Sequence, residues 1–286
     1  MRLLGETKSN EPFPCKYSYL CTFNYLRSGM AILFPAPVFG PVHSRRLGVS
    51  LGVNPLPPDG KVCSFDCIYC ECGLNGENRS RLRMPSREEV RQALEAKLRQ
   101  MQAEGPAPDV ITFAGNGEPT VHPGFAGVIE DTLILRDRYF PQARVSVLSN
   151  ASFLDRPDVF EALKRVDNNI LKLDTVDEEY IRLIDGPSAG YDVRKVIRRM
   201  KDFQGKCMIQ TMFLKGDFQD RDVNNTTDRY VLPWLETVKE IAPEQVMIYT
   251  IDRETPVGGL KKATPEELDR IRDRVEAAGI PVSVSY

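Results

Sequence analysis

The sequence predicts an α/β protein built around a largely parallel sheet, and two observations carry that expectation. Short apolar runs alternate with longer segments of helical periodicity about six times between residues 47 and 284. A repeated strand-then-helix order requires a parallel sheet, because each crossover must bring the chain back to the same sheet edge. Runs such as VITF at 110–113, VSVL at 145–148 and VMIYTI at 246–251 are also continuously apolar, as expected of strands covered on both faces. Such a sheet is either wound open or rolled into a barrel.

Taken in order, strands are expected at residues 47–53, 110–113, 145–148, 170–173, 208–214 and 246–251, with a further one at 281–284. Helices are expected at 87–101 behind the cap-like Ser86, then at 125–138, 159–165, 193–203, 230–241 and 265–278. Residues 1–29 lack clear periodicity and read as an N-terminal extension. The core domain, residues 30–286, opens on the Pro-rich run MAILFPAPVFGPV.

Composition narrows the function classes. At 286 residues with 42% hydrophobic side chains, the chain can bury a core without covalent staples. Its seven cysteines are an odd number, and Cys15, Cys21 and Cys207 lie scattered. That fits no closed disulfide framework and points to a reducing, cytoplasmic compartment. Glu6, Lys8, Asn10 and Glu11 stand where a signal peptide would be apolar, and no run reaches membrane-spanning length. A net charge of −2 with both signs intermixed gives no support for a nucleic-acid partner.

In parallel α/β proteins the site forms where the strands' C-terminal ends lead into loops. The loop after the first strand reads KVCSFDCIYCECG and holds Cys63, Cys67, Cys70 and Cys72. A loop with Cys63, Cys67 and Cys70 at that spacing can wrap around one small metal centre. Structural zinc sites normally add a second cysteine pair at a distance, whereas three cysteines on an iron-sulfur cubane leave one iron open to another ligand. Cys72 follows Cys70 too closely to ligate the same centre and reads as a non-ligand thiol.

The second strand runs into Gly115-Asn116-Gly117-Glu118-Pro119. Glycines there allow close backbone approach, and Glu118 sets a carboxylate at a strand end where it suits an ammonium group; the plain alternative is a tight turn into a helix. His122 reads as a structural residue at a helix entry. The third strand ends in Ser149 and Asn150, able to hold a ribose or a carboxylate, or simply to make a turn. Lys172 and Asp174 alternate in an otherwise apolar fourth strand, where charges are costly unless paired or in a site. They are expected either to bind cofactor or substrate or to pair with each other. Gln210 and Arg253 are expected at the substrate end, and Arg45 with Arg46 either clamps an anion or lies on the surface.

With Tyr69 just ahead of Cys70, the loop matches the signature CxxxCxΦC, and the chain resembles radical S-adenosylmethionine (radical SAM) enzymes. The set SRRLG, SLGVN, CxxxCxYC, GNGEPT, LSN, KLD and IYTIDR, over about residues 39–260, resembles the Fe-S oxidoreductases related to wyosine-base (4-demethylwyosine) synthases. The resemblance implies a partial parallel (β/α)6 TIM-like barrel and a [4Fe-4S] cluster held by Cys63, Cys67 and Cys70. S-adenosylmethionine (SAM) would chelate the open iron and be cleaved reductively to a 5′-deoxyadenosyl radical that takes hydrogen from a substrate.

The same resemblance places Tyr69 near the adenine and Gly115, Gly117 and Glu118 at the methionine amino group. It puts Ser149, Asn150, Lys172 and Asp174 among the cofactor contacts, and it implies an electron donor such as flavodoxin or ferredoxin. RNA-base modification is the wyosine synthases' substrate class. The chain departs from that branch in its mild acidity, and Cys15 and Cys21 are too few for a second cluster. The competing reading is a non-catalytic iron-sulfur or zinc protein with a structural or electron-transfer role, which would have no use for the remote Glu118.

Overall fold

The computed structural model describes residues 26–28, 31–44 and 48–286 of the chain. A hairpin of β1 (Leu26–Ser28) and β2 (Ala31–Leu33) comes first, on either side of the expected domain boundary. Next come β3 (Val38–Ser44) and β4 (Gly48–Val53), paired antiparallel. From β4 onward every neighbour in the main sheet is parallel, through β5 (Val110–Phe113), β6 (Arg144–Ser149), β7 (Asn168–Lys172) and β8 (Met208–Met212). The chain then detours through β9 (Leu214–Phe218) and β10 (Arg221–Asp222) and returns as β11 (Gln245–Tyr249). It adds β12 (Leu260–Lys262) to the detour and ends in β13 (Val282–Ser285). The main sheet has the order β13-β11-β8-β7-β6-β5-β4-β3, and its two edge strands do not pair with each other.

Helices fill each parallel crossover: α1 (Arg87–Glu104), α2 (Phe125–Tyr139), α3 (Pro157–Leu163), α4 (Glu178–Ile184), α5 (Val193–Lys201), α6 (Asp228–Ile241) and α7 (Pro265–Ala277). Their boundaries follow local chemistry. Ser86 and Glu89 form a reciprocal capping box at the start of α1, and Val90, Leu94, Leu98 and Met101 recur at helical spacing on its buried face. Thr264 and Glu267 repeat the box on α7. Trp234 anchors α6 to the sheet by donating its ring N–H to the Leu173 carbonyl at 3.0 Å. None of the helices is long and apolar enough to cross a membrane, among the described residues.

The two faces of the sheet differ, which corrects the expectation of strands apolar on both sides. Leu51, Val53, Ile111, Phe113, Val145, Val147, Leu171, Ile209, Val246 and Ile248 join the helices in one core. The alternate positions carry buried Ser50, Thr112, Ser146 and Asn168. These pair across strands, Ser50 Oγ with Thr112 Oγ1 at 2.8 Å and Asn168 Nδ2 to Ser146 Oγ at 2.7 Å, which satisfies their polar groups without water.

Two further expectations are corrected. The strand expected over 208–214 stops at Met212, because the Asn225 side chain donates to the Met212 carbonyl and accepts from the Leu214 N–H, both at 2.8 Å. Those backbone groups would otherwise extend the strand, so Leu214 starts β9 in the small sheet. The segment after Asp174 contains α4, started by Asp177 accepting from the Tyr180 N–H. At seven residues this helix is too short for its apolar period to stand out.

Candidate active site

The cysteine loop leaves β4 at the C-terminal end of the sheet and is clasped from two sides. On one side, Val62 bridges Gly117 in parallel, with Val62 N–H donating to the Asn116 carbonyl at 2.8 Å and Glu118 N–H to the Val62 carbonyl at 3.0 Å. On the other, Asp66 N–H donates to the Asp185 carbonyl at 2.8 Å, Ile68 N–H to the Ile184 carbonyl at 2.9 Å and Ser188 N–H to the Ser64 carbonyl at 2.7 Å. Phe65 is buried and meets the Tyr191 ring edge-on at 5.0 Å.

The GNGEP turn is the inner half of this clasp, and its glycines are required by close approach. Gly117 has φ +134°, and a Cβ there would lie 1.9 Å from the Val62 carbonyl oxygen; at Gly115 it would lie 2.4 Å from Asn54 Oδ1. Asn116, fully buried, ties the turn to the entry segment by donating to the Phe34 and Pro57 carbonyls at 2.9 and 2.8 Å. Gly117→Ala should therefore push the turn off the cysteine loop and cost about 1–3 kcal/mol, read as a lower urea midpoint. An unchanged midpoint would contradict the close approach.

The four loop thiols differ electrostatically. The Cys70 thiol is brought down to about 6 by a hydrogen bond from Cys72 and by the Lys61 ammonium, against burial. Burial, reinforced by the Glu118 carboxylate, pushes Cys63 up to about 12, and burial, helped by the Asp185 carboxylate and the neighbouring thiols, carries Cys67 well above its ordinary value despite the nearby Lys172 ammonium. The Cys63 sulfur accepts from Phe65 N–H at 3.4 Å and lies 3.6 Å from Asn150 Nδ2. Cys72 is buried against Cys70 and the Gly115 carbonyl, at 3.4 Å from the latter. Among the described residues no three His, Cys, Asp or Glu side chains converge on one ion position.

Beside the loop the structure brings together Glu118, Ser149 and Asn150. Glu118 caps the short 3-10 turn Pro119–Val121. Its carboxylate accepts from Thr120 N–H at 3.0 Å, Thr120 Oγ1 at 2.5 Å, Ser149 Oγ at 2.9 Å and Asn150 N–H at 2.6 Å. Burial raises its pKa while those hydrogen bonds oppose the rise. Asn150 Nδ2 also reaches Ser64 Oγ at 2.9 Å, joining the third strand's end to the cysteine loop. His122 completes the neighbouring helix entry, with Nε2 2.7 Å from the Pro85 carbonyl and Nδ1 accepting from Gly124 N–H.

A second buried cluster gathers on the opposite side. The Lys172 ammonium contacts the Tyr69 hydroxyl, Asp174 and Asp185, the last at 2.9 Å, and the Tyr69 hydroxyl also donates to Asp174. Asp174 Oδ1 accepts from Met212 N–H at 2.9 Å, which fixes the carboxylate across β8. Lys172 and Asp174 thus pair with each other and with Tyr69. Asp185 is the residue that sequence reading missed: its LIDGP context looks like a turn, and only the fold carries it beneath the cysteine loop. Burial pushes its pKa up to about 6 against the pull of Lys172.

A cavity of about 250 Å³ opens between the Tyr69–Cys70 end of the cysteine loop and the last strands, lined by Tyr69, Cys70, Met212, Tyr249 and Thr250. On its rim Arg253 pairs with Glu71 at 2.6 Å, while Gln210 sits in register with Lys172 one strand away. Cys207 lies in the helix-side core, distant in role from the site. Arg45, Arg46, Cys15 and Cys21 lie outside the described residues.

Three thiols on a clasped loop at the C-terminal ends of parallel strands define a class. The chain belongs to the radical SAM superfamily, whose family model matches residues 58–229. The cofactors of that family are a [4Fe-4S] cluster and SAM. More particularly, the chain is similar to a UPF0026 protein of Synechocystis, 30% identical over 80% of both chains. It is also similar to a UPF0026 protein of Methanocaldococcus jannaschii, 30% identical over 74% of this chain and 62% of that one, so it spans about three-fifths of that relative's length. Among solved structures it matches a radical SAM methyltransferase from Sphaerobacter thermophilus with TM-score 0.61, at 17% identity over 83% of this chain and 66% of that one. That likeness concerns the fold, a mostly parallel α/β architecture of the partial-barrel kind.

The residues present fit the cluster. The donor set is three free thiols on one clasped loop, the ligand type that iron-sulfur clusters take.

Proposed function

We propose that Cys63, Cys67 and Cys70 hold one [4Fe-4S] cluster and that the chain cleaves SAM reductively, the adenosyl radical then abstracting hydrogen from an organic substrate. The observation that carries this is the clasp: the GNGEP turn is hydrogen-bonded directly to the first residues of the cysteine loop. A carboxylate from a second strand thereby stands beside the cluster position, a juxtaposition that a purely structural metal site does not need. Gly115, Gly117 and Glu118 would bound the methionine end of SAM, with Glu118 oriented by Thr120, Ser149 and Asn150. Lys172, Asp174 and Asp185 would fix Tyr69 at the adenine side by holding its hydroxyl.

An electron donor of the flavodoxin or ferredoxin kind is the implied partner. The rim of the neighbouring cavity carries Glu71 and Asp252 against Arg253, a balance that supports a substrate other than a polyanion and disfavours RNA-base modification. Anaerobic reconstitution with iron and sulfide, followed by dithionite and SAM, should yield a cubane spectrum and 5′-deoxyadenosine. Folded protein giving neither would overturn this function.

A further inference from the structure

Lys61 is a charged side chain in an unusual place. It lies two residues ahead of Cys63, and its side chain is only 1% exposed. Its ammonium donates to the Gly73 carbonyl at 2.8 Å and to Asp66 Oδ1 at 3.3 Å, so one cation ties the start of the cysteine loop to its middle and its end. Cys70, Cys63 and Cys67 all lie within electrostatic reach of the ammonium.

The single acidic partner does not account for this burial. The Asp66 side chain is 37% exposed, and its Oδ1 also accepts from Asn75 N–H at 2.7 Å, so its charge is partly solvated and shared. Taking an ammonium out of water against so weak a partner is costly, and an apolar side chain could fill the same space without that cost. Three cysteine sulfurs, which become anionic on binding iron, would complete the compensation.

We propose that Lys61 is the built-in countercharge of the iron-sulfur cluster, buried against the cysteine loop so that the reduced cluster is stabilised. Reduction adds one electron, supplied by the external donor, to a centre already surrounded by thiolates. A fixed buried cation beside the ligand cysteines favours the more negative state, since local charge is one of the terms that set cluster potentials. Lys61 is therefore a positioning residue for electron entry, acting on the cluster through its charge without binding iron. The inference rests on the cluster assignment above, and the test separates the two.

The full-length chain is reconstituted anaerobically and titrated with dithionite while the reduced cluster is followed by electron paramagnetic resonance. A wild-type chain without a cubane would count against the cluster assignment itself. Given a wild-type cubane, Lys61→Met should lower the reduced-to-oxidised ratio at the wild-type midpoint about tenfold, equal to about 59 mV for one electron. Lys61→Arg, which keeps the charge, should stay within about twofold of wild type. Equal midpoints for Lys61→Met and wild type at equal iron content would overturn the proposal, as would a shift in Lys61→Arg as large as in Lys61→Met. If Lys61→Met folds by circular dichroism but loses its iron, retention by Lys61→Arg supports the countercharge, and loss by both overturns it.

Discussion

Cys70→Ala should abolish the cluster, whereas Cys72→Ala should keep its iron and sulfide and lose no more than about tenfold in 5′-deoxyadenosine formation. The two residues are one position apart and their thiols share a hydrogen bond, so only environment distinguishes them. The Cys72 hydrogen bond and the Lys61 ammonium lower the pKa of the Cys70 thiol against burial, toward the thiolate that iron binds. Cys72 is the donor in that pair, is buried, and faces the Gly115 carbonyl on the side of the clasp. Removing an outer partner of a ligand typically costs 10–100-fold, and a neutral thiol with a weak S–H donor belongs at the lower end. Loss of a ligand should exceed about 100-fold on the same scale. Iron and sulfide analysis with product quantification decides it. A cluster retained by Cys70→Ala and lost by Cys72→Ala would reverse the assignment.

The strands and helices that carry the parallel sheet were legible because the strands centre on short apolar runs and helices such as α1 and α7 bring their own capping boxes. The cysteine loop was legible for a different reason, since its chemistry is written in consecutive residues. What stayed hidden depends on contacts between distant segments. Thr112 and Ser146 lie inside apolar runs, and nothing local reveals that their face of the sheet is paired polar groups. Asn225 ends β8 from outside the strand by bonding its backbone. Glu118 could be picked out as an acidic residue at a strand end, yet its orientation by Ser149 and Asn150 is a property of neighbouring strands brought together. Asp185 shows the limit most clearly, because a lone aspartate before glycine is a turn signal and its burial beneath Cys67 exists only in the folded chain.

Lys172→Met should destabilise the apo chain by about 3–5 kcal/mol, the usual cost of breaking a buried ion pair from one side. Lys172 is the only cation in contact with Asp174 and Asp185 among the described residues, and the side chains of those two carboxylates are 2% and 3% exposed. Without the ammonium they would face each other and the Tyr69 hydroxyl in a region that excludes water. The penalty comes from stranded charge rather than lost packing, because methionine fills nearly the same volume. Asp185→Asn in the Lys172→Met background should therefore recover part of the loss, although Asp185→Asn alone removes a partner of Lys172 and should itself destabilise. That reversal of sign between backgrounds is the signature of a coupled network. Urea denaturation of the four chains measures it. A cost below about 1 kcal/mol for Lys172→Met would overturn the reading of this cluster as a stabilising buried ion-pair network.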